Sequence, residues 1–327
     1  MDQVLPSVTA SLIRAFGDSI APRKAGAGRL CVLNYHRILS APDPFLDSEP
    51  DAATFDWQMQ LLKQCFNVLP LHDAVQMLAT ERMPPRAVAI SFDDGYRSIH
   101  DLALPVLVKH GLPATVFVTT GQMREEGSMW NDMILEAMRR LPAMPLDLRV
   151  LGLEVYPMAG AAERKRTAGI LTERCKYMPP LERARFTNHL QSLVGGNLRQ
   201  DLMLNADMLR TLTRNQVEIG GHTVNHPILT RLDDEVARRE ISDNKAQLEE
   251  LIGQPVRLFA YPNGKRPTDY DERHVAMVEQ AGYAAAFTTV GRAATAAYSR
   301  FEIPRRRPWD ATPLRFGVRL LRWLAGG

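Results

Sequence analysis

Seven short runs along the chain are dominated by apolar and β-branched residues: Leu30 to Tyr35, Ala87 to Phe92, Ala114 to Thr119, Val217 to Gly221, Val256 to Tyr261, Ala284 to Thr288 and Arg300 to Ile303. Runs of this length predict buried strands. Between them the apolar positions change period. Phe55, Met59, Leu62 and Phe66 recur at three- and four-residue steps, as do Val236, Ile241, Leu248 and Ile252, which predicts amphipathic helices. Strands alternating with helices indicate an α/β fold around a parallel sheet. From Trp130 to Arg214 the strand signal disappears, and Asp132 to Leu141, Ala161 to Cys175 and Leu181 to Val194 read as helices with proline-rich joints. This is a helical insertion, about residues 130–215. Gly111-Leu112-Pro113, Gly253-Gln254-Pro255 and Ala281-Gly282-Tyr283 have the form of helix-to-strand turns.

Composition narrows the class. A chain of 327 residues with 45% hydrophobic and 24% charged residues is a folded globular protein, neither disordered nor fibrous. The net charge of +3 is too small to argue for a polyanionic partner, so no nucleic acid is expected. The positive balance is concentrated from Arg300 onward, where seven arginines face only Glu302 and Asp310. Cys31, Cys65 and Cys175 form no disulfide framework and lack metal-type spacing, which points to a reducing compartment. The first residues carry no basic residue before Arg14 and do not read as a secretory signal, and no run reaches transmembrane length. The expected location is the cytoplasm, or the inner face of the membrane.

Two clusters carry chemistry. The strand ending Ser91-Phe92 runs into Asp93-Asp94-Gly95, placing two carboxylates where strand becomes loop, the end at which parallel sheets build active sites. Such a pair can divide the work, one acid holding a cation and the other acting as a base; the plain alternative is an Asx turn closing the strand. Gly220-Gly221-His222-Thr223-Val224-Asn225-His226 sets two imidazoles four residues apart, again directly after a strand. One helical turn there would bring both onto a single ion, and two His with one Asp leave positions open, as catalytic zinc sites do.

Ser-Phe-Asp-Asp-Gly, His-Thr-x-x-His and the later Phe259-Ala260-Tyr261-Pro262-Asn263-Gly264 together resemble the polysaccharide deacetylase family, the NodB-homology or carbohydrate esterase family 4 domain. The resemblance covers roughly residues 30–307 apart from the helical insertion and implies a distorted (β/α)7-type barrel, in agreement with the strand count. It implies removal of the N-acetyl group of an amino sugar in a glycan or lipid-linked glycan. Asp93 would be the base, and Asp94, His222 and His226 the ligands of a divalent metal, with zinc the guess from ligand type. A backbone N–H near Asn263 would help to hold the oxyanion. Two departures stand out. No histidine follows His274, so the usual C-terminal acid is missing; Val32-Leu33-Asn34-Tyr35-His36 instead resembles the branch with a circularly permuted barrel, which makes His36 the general acid, against the alternative of a core histidine. Ala260 stands where many relatives carry an arginine beside the base, so Asp93 is expected to keep a higher pKa.

Other features admit two readings each. Trp130 opens the insertion as a sugar-stacking wall or as core. Tyr261, Pro262 and Asn263 are assigned to substrate contact. Arg305 in Arg305-Arg306-Arg307 lines the groove and meets an anionic group, or lies in a solvated loop. Residues 309–327 form a basic amphipathic helix that either lies on a membrane or closes the barrel, and residues 1–28, with Leu5, Val8, Leu12 and Phe16 at helical spacing, form a helical extension open to the same two roles. A deformylase of a lipid-linked amino sugar and a non-catalytic glycan-binding module are the rival functions.

Overall fold

The computed structural model describes residues 7–20, 28–80, 82–123, 128–198, 201–308 and 310–326. They fall into two compact units, one of residues 1–41, 48–123 and 204–327, the other of residues 42–47 and 124–203. In chain order the strands are β1 (Leu30–Tyr35), β2 (Asn67–Val68), β3 (Ala87–Phe92), β4 (Ala114–Val118), β5 (Leu146–Asp147), β6 (Val155–Tyr156), β7 (Val217–Gly221), β8 (Leu258–Ala260) and β9 (Ala285–Phe287).

In the first unit, seven described strands form one parallel sheet in the order β1-β3-β4-β7-β8-β9, with β2 beside the first residues of β3. It is the curled sheet of an α/β, (β/α)-type barrel. The period of two decides what each strand shows to each side. One alternating set (Leu30 and Val32, Ala87 and Ala89, Leu258 and Ala260, Ala285 and Phe287) gathers with Phe117 in a single buried cluster. The other set packs outward, where Tyr35 and Phe92 meet Phe55 of the helix Ala52–Cys65 with ring centroids 5.3 to 5.8 Å apart. Asp51 caps that helix by accepting the Thr54 N–H.

The predicted strand at Arg300 to Ile303 is not a strand but a bridge between sheet edges. Ile303 exchanges hydrogen bonds with Ala286 and Thr288 at β9, while the Arg306 N–H donates to the Val32 carbonyl and the Arg306 carbonyl accepts from the Asn34 N–H at β1. Pro304 between them has no N–H to give to a regular ladder. This short crossing carries Arg305.

The C-terminal helix Pro313–Ala325 turns Phe316, Leu320, Leu321, Trp323 and Leu324 inward. Most of its apolar side is spent on the protein, as the barrel-closing alternative expects, while Leu314 and Val318 stay exposed. The helix Ser7–Ile20 packs against it, for a Cβ on Gly317 would meet Ile13 at 2.9 Å and one on Gly17 would meet Leu321 at 2.9 Å. Among its described side chains Ala10 and Ile13 are buried, as is Gly17, while Leu12 and Phe16 of the predicted stripe are exposed; Leu5 and the Val8 side chain lie outside the described residues. No described helix is long and apolar enough to cross a membrane.

The second unit has its own core, in which Met133, Ile134, Ala137 and Met138 of the helix Trp130–Arg140 meet Leu171 and Cys175 of the helix Ala161–Lys176 and Phe186 and Leu190 of the helix Pro180–Val194. It also contains the antiparallel pair β5 and β6, which the sequence pattern does not reveal. Strands of two residues are too short to express a period.

Candidate active site

Every parallel strand points the same way, so the residues following β1, β3, β7 and β8 collect at one end of the sheet. Tyr35 is in register with Phe92, and the Asp93 N–H donates to the Tyr35 carbonyl at 2.9 Å, which sets His36 beside Asp93. Asn34, Ser91 and Asp93 continue the inward rows of Val32 and Ala89. All three are buried. Asp94 then leaves the extended conformation with φ 71°, a left-handed backbone that Asp tolerates better than most residues.

Asp94, His222 and His226 come together. Asp94 Oδ1 lies 3.5 Å from His222 Nε2 and 3.4 Å from His226 Nε2, and the three donor atoms all lie within 4.8 Å of one another. A tetrahedral cation with donors at about 2.0–2.2 Å would hold them roughly 3.3–3.5 Å apart, so the set fits a divalent metal. The tautomer of His222 fits as well: its Nδ1 is 2.7 Å from the Ala260 carbonyl, which can only accept, so in the neutral ring the lone pair sits on Nε2. Burial holds the His226 imidazole down at about 4, leaving it neutral, despite the opposing pull of Asp94. For His222 burial also pushes down, but Asp93 and Asp94 outweigh it and its pKa is raised; Asp94 in turn is well below the carboxylate range, because the His222 and His226 contacts outweigh its burial.

The histidine loop does not make the predicted helical turn. Thr223 and His226 both adopt left-handed backbone, with φ 67° and 52°, and the Thr223 hydroxyl accepts the His226 N–H at 3.1 Å. The preceding glycines are there for close packing: a Cβ on Gly220 would strike the Phe117 ring at 2.5 Å, and one on Gly221 would fall on the Tyr283 hydroxyl and 2.7 Å from Asn244 Oδ1.

Asp93 has a partner that the sequence reading misplaced. Arg305 is buried and grips it with two prongs, Nη1 to Oδ1 at 2.6 Å and Nη2 to Oδ2 at 2.9 Å, while Asn34 Nδ2 donates to Oδ2 at 3.1 Å. The guanidinium also lies 5.0 Å over the Phe117 ring. Arg305 was expected at a substrate anion or in solvent; it is instead the cation that Ala260 does not supply. The expected rise in the Asp93 pKa is reversed too: burial pushes the carboxyl up, but Arg305 and then His222 outweigh it and hold it below the ordinary value.

His36 shares the site. Its Coulombic influence lowers the pKa values of Asp93, Asp94 and His226, and among the described residues its buried Nδ1 has no hydrogen-bond partner. Of the turn after β8, Tyr261 was assigned to substrate yet is fully buried and stacked on Tyr270 at 4.0 Å; Pro262 is buried as well, and Asn263 is partly exposed with φ 60°. Trp130 belongs to the second unit, where its ring packs against that unit's core and lies 4.9 Å beneath the Arg183 guanidinium.

Residues 80–148 and 172–286, more than half of the chain, match the family model described as polysaccharide deacetylase. The chain belongs to the polysaccharide deacetylase family. With relatives named as N-deacetylases, this makes it a carbohydrate deacetylase, a hydrolase. Over 136 residues the chain is 29% identical to the poly-beta-1,6-N-acetyl-D-glucosamine N-deacetylase of Staphylococcus aureus (strain MSSA476), covering 38% of this chain and 47% of that one. It thus spans about half the length of this relative. Its fold is similar to that of the Streptococcus pyogenes deacetylase PplD, with a TM-score of 0.61 and 19% identity over 90% of this chain and 98% of that chain. IcaB from Ammonifex degensii is similar too, with a TM-score of 0.57 and 19% identity over 91% and 97% of the two chains. His36 and Arg305 both lie outside the residues that match the polysaccharide deacetylase model.

Proposed function

We propose that this protein removes the N-acetyl group from amino-sugar units of a glycan or lipid-linked glycan, using a divalent cation held by Asp94, His222 and His226, with zinc the ion best suited to that donor set. The observation that carries the reading is the adjacency of two differently equipped carboxylates, Asp94 facing the imidazoles and Asp93 facing Arg305. A glycan-binding module would need no ionised carboxylate locked beside a cation site.

The residues then divide the reaction. A cation bound there would supply Lewis acidity, polarising the amide carbonyl and acidifying a water, so that a carboxylate held as low as Asp93 suffices to take its proton. Asp93 stays ionised through Arg305 and is aimed by Arg305 and Asn34. His36, standing next to Asp93 at the end of β1, delivers a proton to the departing amine. Asn263, the partly exposed residue of the turn after β8, meets the substrate.

The test is release of acetate or formate from a panel of N-acylated amino-sugar glycans after reconstitution with Zn2+, Co2+, Mn2+ or Ni2+. Acetate release that is lost on chelation and restored by a cation is expected. Formate in place of acetate would change the acyl group and keep the machinery. Absence of acyl release with every metal overturns the proposal.

A further inference from the structure

The helix Asp234–Ile252 packs a stripe of Ala237, Ile241 and Leu248 inward, and one polar residue stands in that stripe, the fully buried Asn244. A buried amide must find partners for its oxygen and its N–H groups. Asn244 Oδ1 accepts the backbone N–H of His222 at 3.0 Å, and its Nδ2 donates to the Val118 carbonyl at 3.0 Å and to Thr120 Oγ1 at 3.2 Å. It therefore ties the first imidazole's backbone to the end of β4.

One turn earlier on the helix, Glu240 takes the middle of the same loop. Its carboxylate accepts the Asn225 backbone N–H at 2.8 Å and the Asn225 side-chain amide at 2.7 Å, and its own carbonyl accepts the Val224 N–H at 3.1 Å. A loop with left-handed Thr223 and His226 persists only where its surroundings hold it, and this helix supplies much of that hold.

We infer that Asn244 and Glu240 are positioning residues for a divalent cation at Asp94, His222 and His226, an inference that rests on the metal reading above. Neither belongs to the donor set of Asp94, His222 and His226; they fix where the two imidazoles stand.

The experiment compares Asn244→Ala and Asn244→Asp with Leu248→Ala, a core change on the same helix that leaves the loop untouched. Two quantities are measured in the full chain: the dissociation constant for Zn2+ or Co2+ by chelator competition, and amide exchange of residues 222–226 in the cation-free protein. Asn244→Ala is expected to weaken cation binding roughly 10–100-fold and to speed exchange of the His222 amide. Asn244→Asp, which keeps an acceptor for that amide and loses the donor to Val118, falls between Asn244→Ala and wild type. Leu248→Ala lowers the thermal midpoint and leaves the cation affinity at the wild-type level. Equal weakening in Asn244→Ala and Leu248→Ala, or wild-type affinity in Asn244→Ala, overturns the inference. If the wild-type chain binds neither ion, the metal reading falls by itself. Exchange in the cation-free proteins then still decides whether Asn244 clamps the loop, and unchanged protection of His222 overturns the clamp.

Discussion

Arg305 and Asp93 form a buried two-pronged ion pair between residues 212 positions apart, Nη1 to Oδ1 at 2.6 Å and Nη2 to Oδ2 at 2.9 Å. Both groups are out of water, so each depends on the other for its charge. Removing one partner strands a buried charge, and Arg305→Met is expected to lower stability by about 3–5 kcal/mol. It should also abolish acyl release. Arg305→Lys keeps the charge and loses the fork, so it should recover part of the stability and little of the rate. Denaturant unfolding and initial rates check both; an Arg305→Met protein with wild-type stability would show that the pair does not hold Asp93.

His36→Asn separates the proton donor from the cation site. Acyl release should fall by about 100-fold or more, while the Zn2+ content after reconstitution stays at one ion per chain. Near-normal turnover would remove His36 from the proton path, and loss of zinc would recast it as part of the cation site.

Gly221→Ala probes the close approach that carries the histidine loop. The added methyl would collide with the Tyr283 hydroxyl and Asn244 Oδ1. A loss of about 1–3 kcal/mol in unfolding free energy is expected, together with weaker cation binding, because Asn244 must move to make room. Unchanged stability would mean that the helix gives way freely.

Glu218 on β7 is mostly buried, and burial raises its carboxyl from 4.5 to about 7, against the opposing charge of Arg257. The folded state then holds this proton more tightly than the unfolded chain. Its penalty is therefore absent below about pH 4.5, grows as pH rises, and is complete above about pH 7. Glu218→Gln should be close to wild type in stability at pH 4.5 and more stable by on the order of 1–2 kcal/mol at pH 8. Urea unfolding at the two pH values measures the difference, and a constant gap would place its origin in packing instead of charge.

The residue pattern along the chain specified local features. β1, β3 and β7 coincide with their predicted runs, because a buried strand expresses its burial in consecutive residues. The ends of those strands carry Asp93, Asp94, His222 and His226, and His36 follows β1, so the candidate site was legible wherever one strand and its loop supply a residue. Asn244 left a trace as well, a polar residue in the apolar stripe of an amphipathic helix, though its partners could not be read there. The pairing of Arg305 with Asp93 was not legible. It arises from a non-strand crossing between β9 and β1, whose hydrogen bonds depend on the curl of the whole sheet. The same holds for the left-handed histidine loop, fixed by a helix packed across it, and for the C-terminal helix, whose apolar face says that something covers it and not what. Periodicity reports whether a side chain is buried; only the curled sheet decides against which distant partner.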